Sequence, residues 1–383
     1  MGFFSKTKKS EFVALFDIGS GSVGGAMLLV SKNKKPVVIS SMRKTFKLKS
    51  EIDSSVLMKD MLVTLNDVAK SIQKESGMVP DNVYSVLSSP WASASLRTIK
   101  RKRDEDFTFT QKYAKEIIEE DVAKFKKDNL KFDQIIDRRV VNVLLNGYPI
   151  DSPHGKRVKS AEIHLFLSMS SSGIIEKIED VIMSTYHRNV KFTSQMFSDF
   201  IVVRDIFDRV NDFIIIDVDE EVTEVSVMRD DYLVGTASMP FGKNTIIRKL
   251  ASSMKKDIHE TKSLFSLFKD GQLHEIHARE MTHAIQLLNR EWISGMKSIF
   301  RGLFSDALIP HTIFLVSEGA SKKWFSNLLD KSFFPEFTTT EDSFNVILGD
   351  NRILHDFCDF SSNAQNDSSL TMQSIFINKI NFQ

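Results

Sequence analysis

The chain has 383 residues, 42% hydrophobic and 26% charged, which suits a folded multi-domain protein and excludes a disordered one. Lys plus Arg total 51 against 50 for Asp plus Glu, and a net charge of +1 argues against nucleic acid as the main partner. One cysteine, Cys358, rules out an internal disulfide and a cysteine-based metal site, and fits a reducing, cytoplasmic setting.

No apolar run approaches the roughly 20 residues needed to span a bilayer. The opening Met1-Gly2-Phe3-Phe4-Ser5-Lys6 lacks the long apolar stretch of a secretion signal, and Lys6 stands where a myristoylation site wants Ser or Thr. Phe3 and Phe4 beside Lys6, Lys8 and Lys9 leave weak contact with a membrane surface open, although a frayed polar terminus is the simpler reading.

In chain order, residues 11–16 read as a buried strand, 17–22 as a Gly/Ser turn, 23–30 as a second strand and 36–41 as the start of a third. Apolar residues at helical spacing (Leu57, Met61, Leu65, Val68, Ile72) predict an amphipathic helix over 56–75. Strands follow at 83–88 and 95–99, the second running into Lys100-Arg101-Lys102-Arg103 and Asp104-Glu105-Asp106, which reads as a solvated hairpin end. A helix at 111–127, strands at 138–145 and 161–168, and a helix at 172–187 come next. Phe213-Ile214-Ile215-Ile216-Asp217 reads as a central buried strand ending on an acid, followed by strands at 225–229 and 232–238 around an Asp230-Asp231 turn. Helices at 245–254, 260–268 and 277–304, a strand at 311–316 and a helix at 321–329 complete this half. Residues 374–382 alternate and predict a last edge strand. The strand, acidic tip, strand, turn, strand pattern thus occurs twice, which suggests two duplicated lobes around a cleft.

Gly19-Ser20-Gly21-Ser22-Val23-Gly24 matches the dinucleotide pattern GxGxxG letter for letter. That fingerprint needs a following helix and an acid about 20 residues on. Here a strand follows, and no acid occurs before Glu51. The better reading is a hairpin that cradles phosphate with backbone amides and the Ser20 and Ser22 hydroxyls, with Asp17 holding Mg²⁺ through water. A glycine-rich hairpin taken alone is more often only a turn.

Three segments appear together. Asp17-Ile18-Gly19-Ser20-Gly21-Ser22-Val23 resembles the first phosphate motif of the actin-like ATPase superfamily, residues 213–225 occupy the place of its second phosphate motif, and Ile313 to Ser321 resembles its adenosine motif. Residues 84–99 and 140–164 are similar to the small SHS2-type domain inserted in the FtsA/PilM branch of division and pilus-assembly proteins, and Ser238 to Ile246 to the segment after its second motif. The resemblance implies an α/β protein with the two-lobed actin/ribonuclease-H-like fold and a small inserted α+β domain. It divides the chain into a flexible N-terminus (1–10), a first lobe (11–80, with a return helix at 191–210), the inserted domain (81–190), a second lobe (211–345) and a tail packed partly back (346–383).

The resemblance also implies ATP and Mg as cofactors. Asp17 and Asp217 would share the metal, and Gln195 would orient an attacking water. Gly19, Ser20, Gly21, Ser22 and Thr223 would meet phosphate, with Lys262, Gly319 and Ala320 near adenosine. The departures matter equally. Many relatives carry lysine where this chain has Gly24, and Asp219, Glu220 and Glu221 replace the second motif's glycines. Carboxylates beside a polyphosphate repel it by about 1 kcal/mol per close pair even in water.

The expected function is a PilM/FtsA-like cytoplasmic scaffold that links a membrane-associated machine to the cytoplasm, with hydrolysis slow or absent. Its inserted domain would contact the cytoplasmic segment of a membrane protein or another division or pilus component. Two alternatives stand beside it: an active ATPase forming filaments in cell division, and a degenerate adaptor that binds no nucleotide. Self-association and peripheral contact with the inner face of the membrane are left open.

Overall fold

The computed structural model describes residues 10–128, 131–207, 209–304, 308–317, 321–331, 334, 344–349 and 351–382. The chain opens with an antiparallel meander of β1 (Ser10–Ile18), β2 (Ser22–Ser31) and β3 (Val37–Thr45). The amphipathic pattern at 56–75 becomes α1 (Ser54–Ser76), which buries Met61, Leu65, Val68, Ala69 and Ile72. Asp53 caps it by accepting from the Ser55 and Val56 amides, two donors that the first turn leaves free. Asp53→Ala should lower the urea concentration at the midpoint of unfolding, because the two amides lose their acceptor.

After α1, β4 (Asn82–Leu87) lies parallel to β1. The chain then leaves the first sheet to build a separate four-stranded sheet in the order β5-β8-β6-β7. Its strands are β5 (Ala92–Phe109), β6 (Gln134–Leu145), β7 (Tyr148–Pro149) and β8 (Lys156–Ser170), with α2 (Gln111–Asp128) packed against it. The 100–106 charge block is not the hairpin end that its composition suggests. It continues β5 as one 18-residue strand with a register shift between Lys102 and Phe107. Two of its cations are held by acids on neighbouring elements, Lys100 by Glu162 at 3.1 Å and Arg101 by Glu120 at 2.8 Å, and Arg103 lies over the Phe107 and Tyr113 rings.

Through α3 (Ser172–Tyr186) the chain returns to the first sheet as β9 (Val190–Ser194), parallel to β4. So β4 and β9, at the two ends of the 81–190 span, hydrogen-bond into the first sheet, and the separate sheet runs from Ala92 to Ser170. Helix α4 (Gln195–Ile206) follows directly.

The second lobe repeats the meander as β10 (Phe213–Val218), β11 (Thr223–Arg229) and β12 (Tyr232–Met239). Asp230 and Asp231 make the turn with φ of 47° and 66°, a left-handed pair that Asp tolerates better than most residues. Helices α5 (Lys243–Met254), α6 (Ile258–Lys269) and α7 (Glu275–Leu303) cover this sheet, and β13 (Thr312–Ser317) lies parallel to β10. Helix α8 (Ser321–Lys331) and β14 (Asn345–Leu348) extend it to five strands in the order β12-β11-β10-β13-β14.

Registers in the two sheets correspond. Asp17 faces Gly24 on β2 and Val86 on β4; Asp217 faces Glu224 on β11 and Val316 on β13. Each acid ends the central strand of its lobe.

The end of the chain crosses back to the first lobe. After α9 (Asn351–Leu354), β15 (Asp359–Asn363) pairs with β3 and closes the six-stranded order β15-β3-β2-β1-β4-β9. The edge strand expected at 374–382 is instead part of α10 (Ser368–Asn381). Asp367 caps this helix by accepting from Leu370 N–H, and Leu370, Met372, Phe376 and Ile377 are buried in the core shared with β1, β2 and α4. A helix buried on most of its sides loses the one-sided apolar period, which is why its sequence reads as a strand. Among the described residues no helix is long and apolar enough to cross a membrane.

Candidate functional site: the cleft between two hairpins

The β1–β2 and β10–β11 turns point at each other across the junction of the lobes, and their side chains meet. The Ser20 amide and hydroxyl both donate to Asp219 Oδ2, at 2.6 and 2.7 Å, and the Ser20 oxygen accepts from the Glu221 amide at 2.9 Å. A Cβ added to Gly21 would lie 2.3 Å from Glu220 Cβ, and one on Gly19 would lie 2.9 Å from Asp219 Oδ2. The glycines of the first hairpin thus admit the second hairpin itself. Ser89, just after β4, adds a bond to Glu224 Oε1 at 2.6 Å.

Asp17 is 2% exposed and carries its own cation. Arg43 Nη2 donates to Asp17 Oδ2 at 2.5 Å, Nη1 to Ser22 Oγ at 3.0 Å, and Nε to Asp367 Oδ2 at 2.6 Å. Arg43 is the cross-strand partner of Gly24, and a Cβ on Gly24 would lie 2.7 Å from its guanidinium. The lysine that the resemblance leads one to expect at position 24 is missing; a cation one strand over fills that space.

Asp217 accepts from Gln195 Nε2, so two predicted catalytic residues do meet, in a bond with each other. Burial raises Asp217 well above the carboxylate range, with the nearby Asp199 adding to it. Burial likewise raises Asp199, reinforced by Asp17 and Glu224, and pushes Glu224 up to about 7. Asp17 is raised by burial against the pull of Arg43.

The three acids at 219–221, repulsive on paper, each have a partner. Asp219 has Ser20, Glu220 has Lys243 at 3.1 Å, and Glu221 has Arg248 and Asn244. Burial would raise Asp219, but Glu220, Lys243 and Ser20 outweigh it and hold it below the usual range, while burial and Asp219 push Glu220 up to about 8. The first amides of α5 are also in use: Lys243 N–H donates to Asp219 O at 3.0 Å and Asn244 N–H to Glu220 O at 2.7 Å.

A cavity lined by Asp17, Ser22, Arg43, Gln195, Asp217 and Lys243 among others has a volume of about 20 Å³, room for about one water. As placed, these residues do not fit ATP with Mg²⁺. A carboxylate holds the phosphate donors, and a guanidinium holds the metal's aspartate.

Of the other predicted residues, Thr223 is fully buried and its hydroxyl donates to Phe241 O at 2.6 Å, so it serves the hairpin rather than a ligand. Lys262 is exposed on α6, away from that cavity's lining. Gly319 and Ala320 lie outside the described residues. Sequence reasoning missed Arg43, Lys243, Asp199 and Asp367. Asp367 left a trace as an acid directly before Ser368-Ser369, the N-cap pattern of α10, and Asp199 as a charge within the apolar α4, but nothing local marks Arg43.

Two lobes with duplicated meanders, acid-tipped central strands and facing hairpins define the actin-like ATPase fold. The chain superposes on a solved structure of the PilM–PilN type IV pilus biogenesis complex with a TM-score of 0.65, at 11% identity, over 96% of this chain and 98% of that one. It is similar, at a TM-score of 0.49 and 10% identity, to the ethanolamine utilization protein EutJ from Carboxydothermus hydrogenoformans, over 96% of this chain and 90% of that one. It is also similar to an actin-like ATPase fold protein of unknown function from Bacteroides thetaiotaomicron, at a TM-score of 0.41 and 10% identity, covering 98% and 99% of the two chains. No family model matches, and no curated protein does. The fold is therefore actin-like and of the PilM type.

Proposed function

We propose that the chain is a PilM-like scaffold that links a membrane-associated assembly to the cytoplasm through protein contacts, with ATP hydrolysis slow or absent. The observation that carries this reading is the state of the hydrolytic groups. Asp17 is bonded to Arg43, and Gln195 is bonded to Asp217. A water-orienting amide and a metal-holding acid that bond each other are engaged in structure, not poised for chemistry.

Contact surface is available elsewhere. A groove of about 490 Å³ runs between the inserted sheet, helices α4 and α10 and the β11–β12 turn, lined by Arg139, Val140, Phe200, Ile201, Arg204 and Tyr232 among others. Val140 there is 50% exposed, and β6 has only the two-residue β7 on its outer side. The likeness to a structure of a pilus biogenesis complex supports pilus assembly over division.

Two measurements test the reading. Phosphate release from Mg·ATP should be no faster for the wild type than for Asp217→Asn; turnover abolished by that substitution would instead make the protein an ATPase. In fractionated source cells the wild type should travel partly with membranes and Val140→Glu should not. Equal distribution of the two would remove the groove from the partner interface.

A further inference from the structure

The cleft is full of the chain's own polar groups, and their placement has a pattern. The donors of the first hairpin converge on one oxygen: the Ser20 amide and hydroxyl meet Asp219 Oδ2 at 2.6 and 2.7 Å. This is the geometry in which a hairpin of amides and hydroxyls receives an anion. The anion comes from the opposite lobe, 199 residues away in sequence. On the other side of the cavity a cation, Arg43, bridges Asp17 and Asp367. Oxyanion on the hairpin and cation on the acid are the charges of a metal–polyphosphate, supplied here by side chains.

We propose that Asp219 is the built-in anion ligand of the 19–22 hairpin, and that it holds the two lobes closed in place of a polyphosphate. Three further features fit. Gly19 and Gly21 leave room that Asp219 and Glu220 fill, with Cβ distances of 2.9 and 2.3 Å that no side chain would allow. The Glu221 amide returns a bond to Ser20 Oγ, so the seat is bonded from both directions. The α5 amides of Lys243 and Asn244, a second place for an anion at a helix start, are spent on the carbonyls of Asp219 and Glu220. An incoming polyphosphate must displace a carboxylate already within bonding distance, and it meets the further acids Glu220 and Asp217 around a cavity of about 20 Å³.

This closure does not depend on the scaffold role, and its test separates the two. Thermal melts of the full chain are run with 5 mM Mg·ATP or 5 mM inorganic pyrophosphate, for the wild type and Asp219→Gly. Wild type should not shift with either probe. The variant, with its donors freed, should rise by about 2–4 °C, as expected for a ligand present at roughly ten times its dissociation constant. Deuterium exchange of the peptide containing residues 19–22 should be at least about ten-fold faster in the variant without ligand than in the wild type. Asp219→Ser, whose side chain is too short to reach the hairpin, carries the same test should the glycine variant fail to fold. A wild-type shift equal to the variant's, or a folded variant that neither responds to the probes nor exchanges faster, overturns the proposal. Wild type that binds ATP but releases no phosphate would overturn this inference alone and leave the scaffold reading standing.

Discussion

Arg43→Ala should lower the unfolding free energy by about 3–5 kcal/mol, the cost of removing one partner from a buried ion cluster. The Arg43 side chain is 18% exposed, and the side chains of the acids it joins, Asp17 and Asp367, are 3% and 8% exposed. Without the guanidinium, two carboxylates in a poorly solvated site either stay charged without compensation or take up protons. Asp367 has more to lose, since Arg43 outweighs burial there and holds its carboxyl below the usual range. Asp367 also caps α10, so the damage should reach the packing of that helix on the first sheet. Urea titration of the wild type and Arg43→Ala measures the effect. A triple variant, Asp17→Asn with Arg43→Met and Asp367→Asn, should recover most of the loss, because removing all the charges leaves none unpaired. A loss under about 1 kcal/mol for Arg43→Ala would mean that water reaches both acids in the folded protein and that the cluster is not a closed one.

A second large effect is expected with pH. Glu224 is pushed by burial from 4.5 up to about 7, and Glu220 by burial and Asp219 up to about 8. Groups raised in the folded state bind more protons folded than unfolded. Their stabilisation is fully present below about 4.5 and is lost as pH rises through 7 to 8. Unfolding free energy should therefore fall between pH 5.5 and 8.5, by on the order of 3 kcal/mol after allowing for the partial exposure of both groups. Asp219 and Asp367 act in the opposite sense, since both are held low: their contribution is present above the ordinary value of 3.8 and is lost in stronger acid. Maximum stability should thus lie on the acid side of neutrality. Glu224→Gln keeps an acceptor for the Ser89 hydroxyl, bonded at 2.6 Å, and removes the titration. Its profile should be visibly flatter over the same range. A wild type equally stable at pH 5.5 and 8.5 would show that these acids are ionised in the folded state.

The closed cleft and the pH profile have one origin. An actin-like cleft that receives a metal–polyphosphate has a divalent cation to keep its acids charged. Here the positive charge comes from Arg43 and Lys243, and burial raises the acids Asp217 and Asp199 well above the usual carboxylate range instead. The lobes are then joined by bonds such as Ser20 to Asp219 and Ser89 to Glu224, which depend on protons and geometry and not on nucleotide.

Much of this molecule was legible in the order of its residues. Period-two runs, one continuous apolar strand ending on Asp217, helical stripes such as Met61 to Ile72, and two glycine or aspartate turns are local signals, and the structure places both meanders and most helices where those signals lie. They are legible because each is produced by its own few residues meeting one apolar face or one turn. The state of the cleft was not. Arg43 and Asp367 are 324 positions apart, and Ser20 and Asp219 are 199 apart. Whether Asp219 repels a phosphate or replaces it depends on which donors the fold brings within bonding distance. The same holds for α10, whose alternating residues suit a strand until the first lobe buries them on several sides. Local pattern thus determined the elements and their duplication. Which charges neutralise which was decided by tertiary packing, because electrostatic partners in a buried site are chosen by distance in space and by the absence of water.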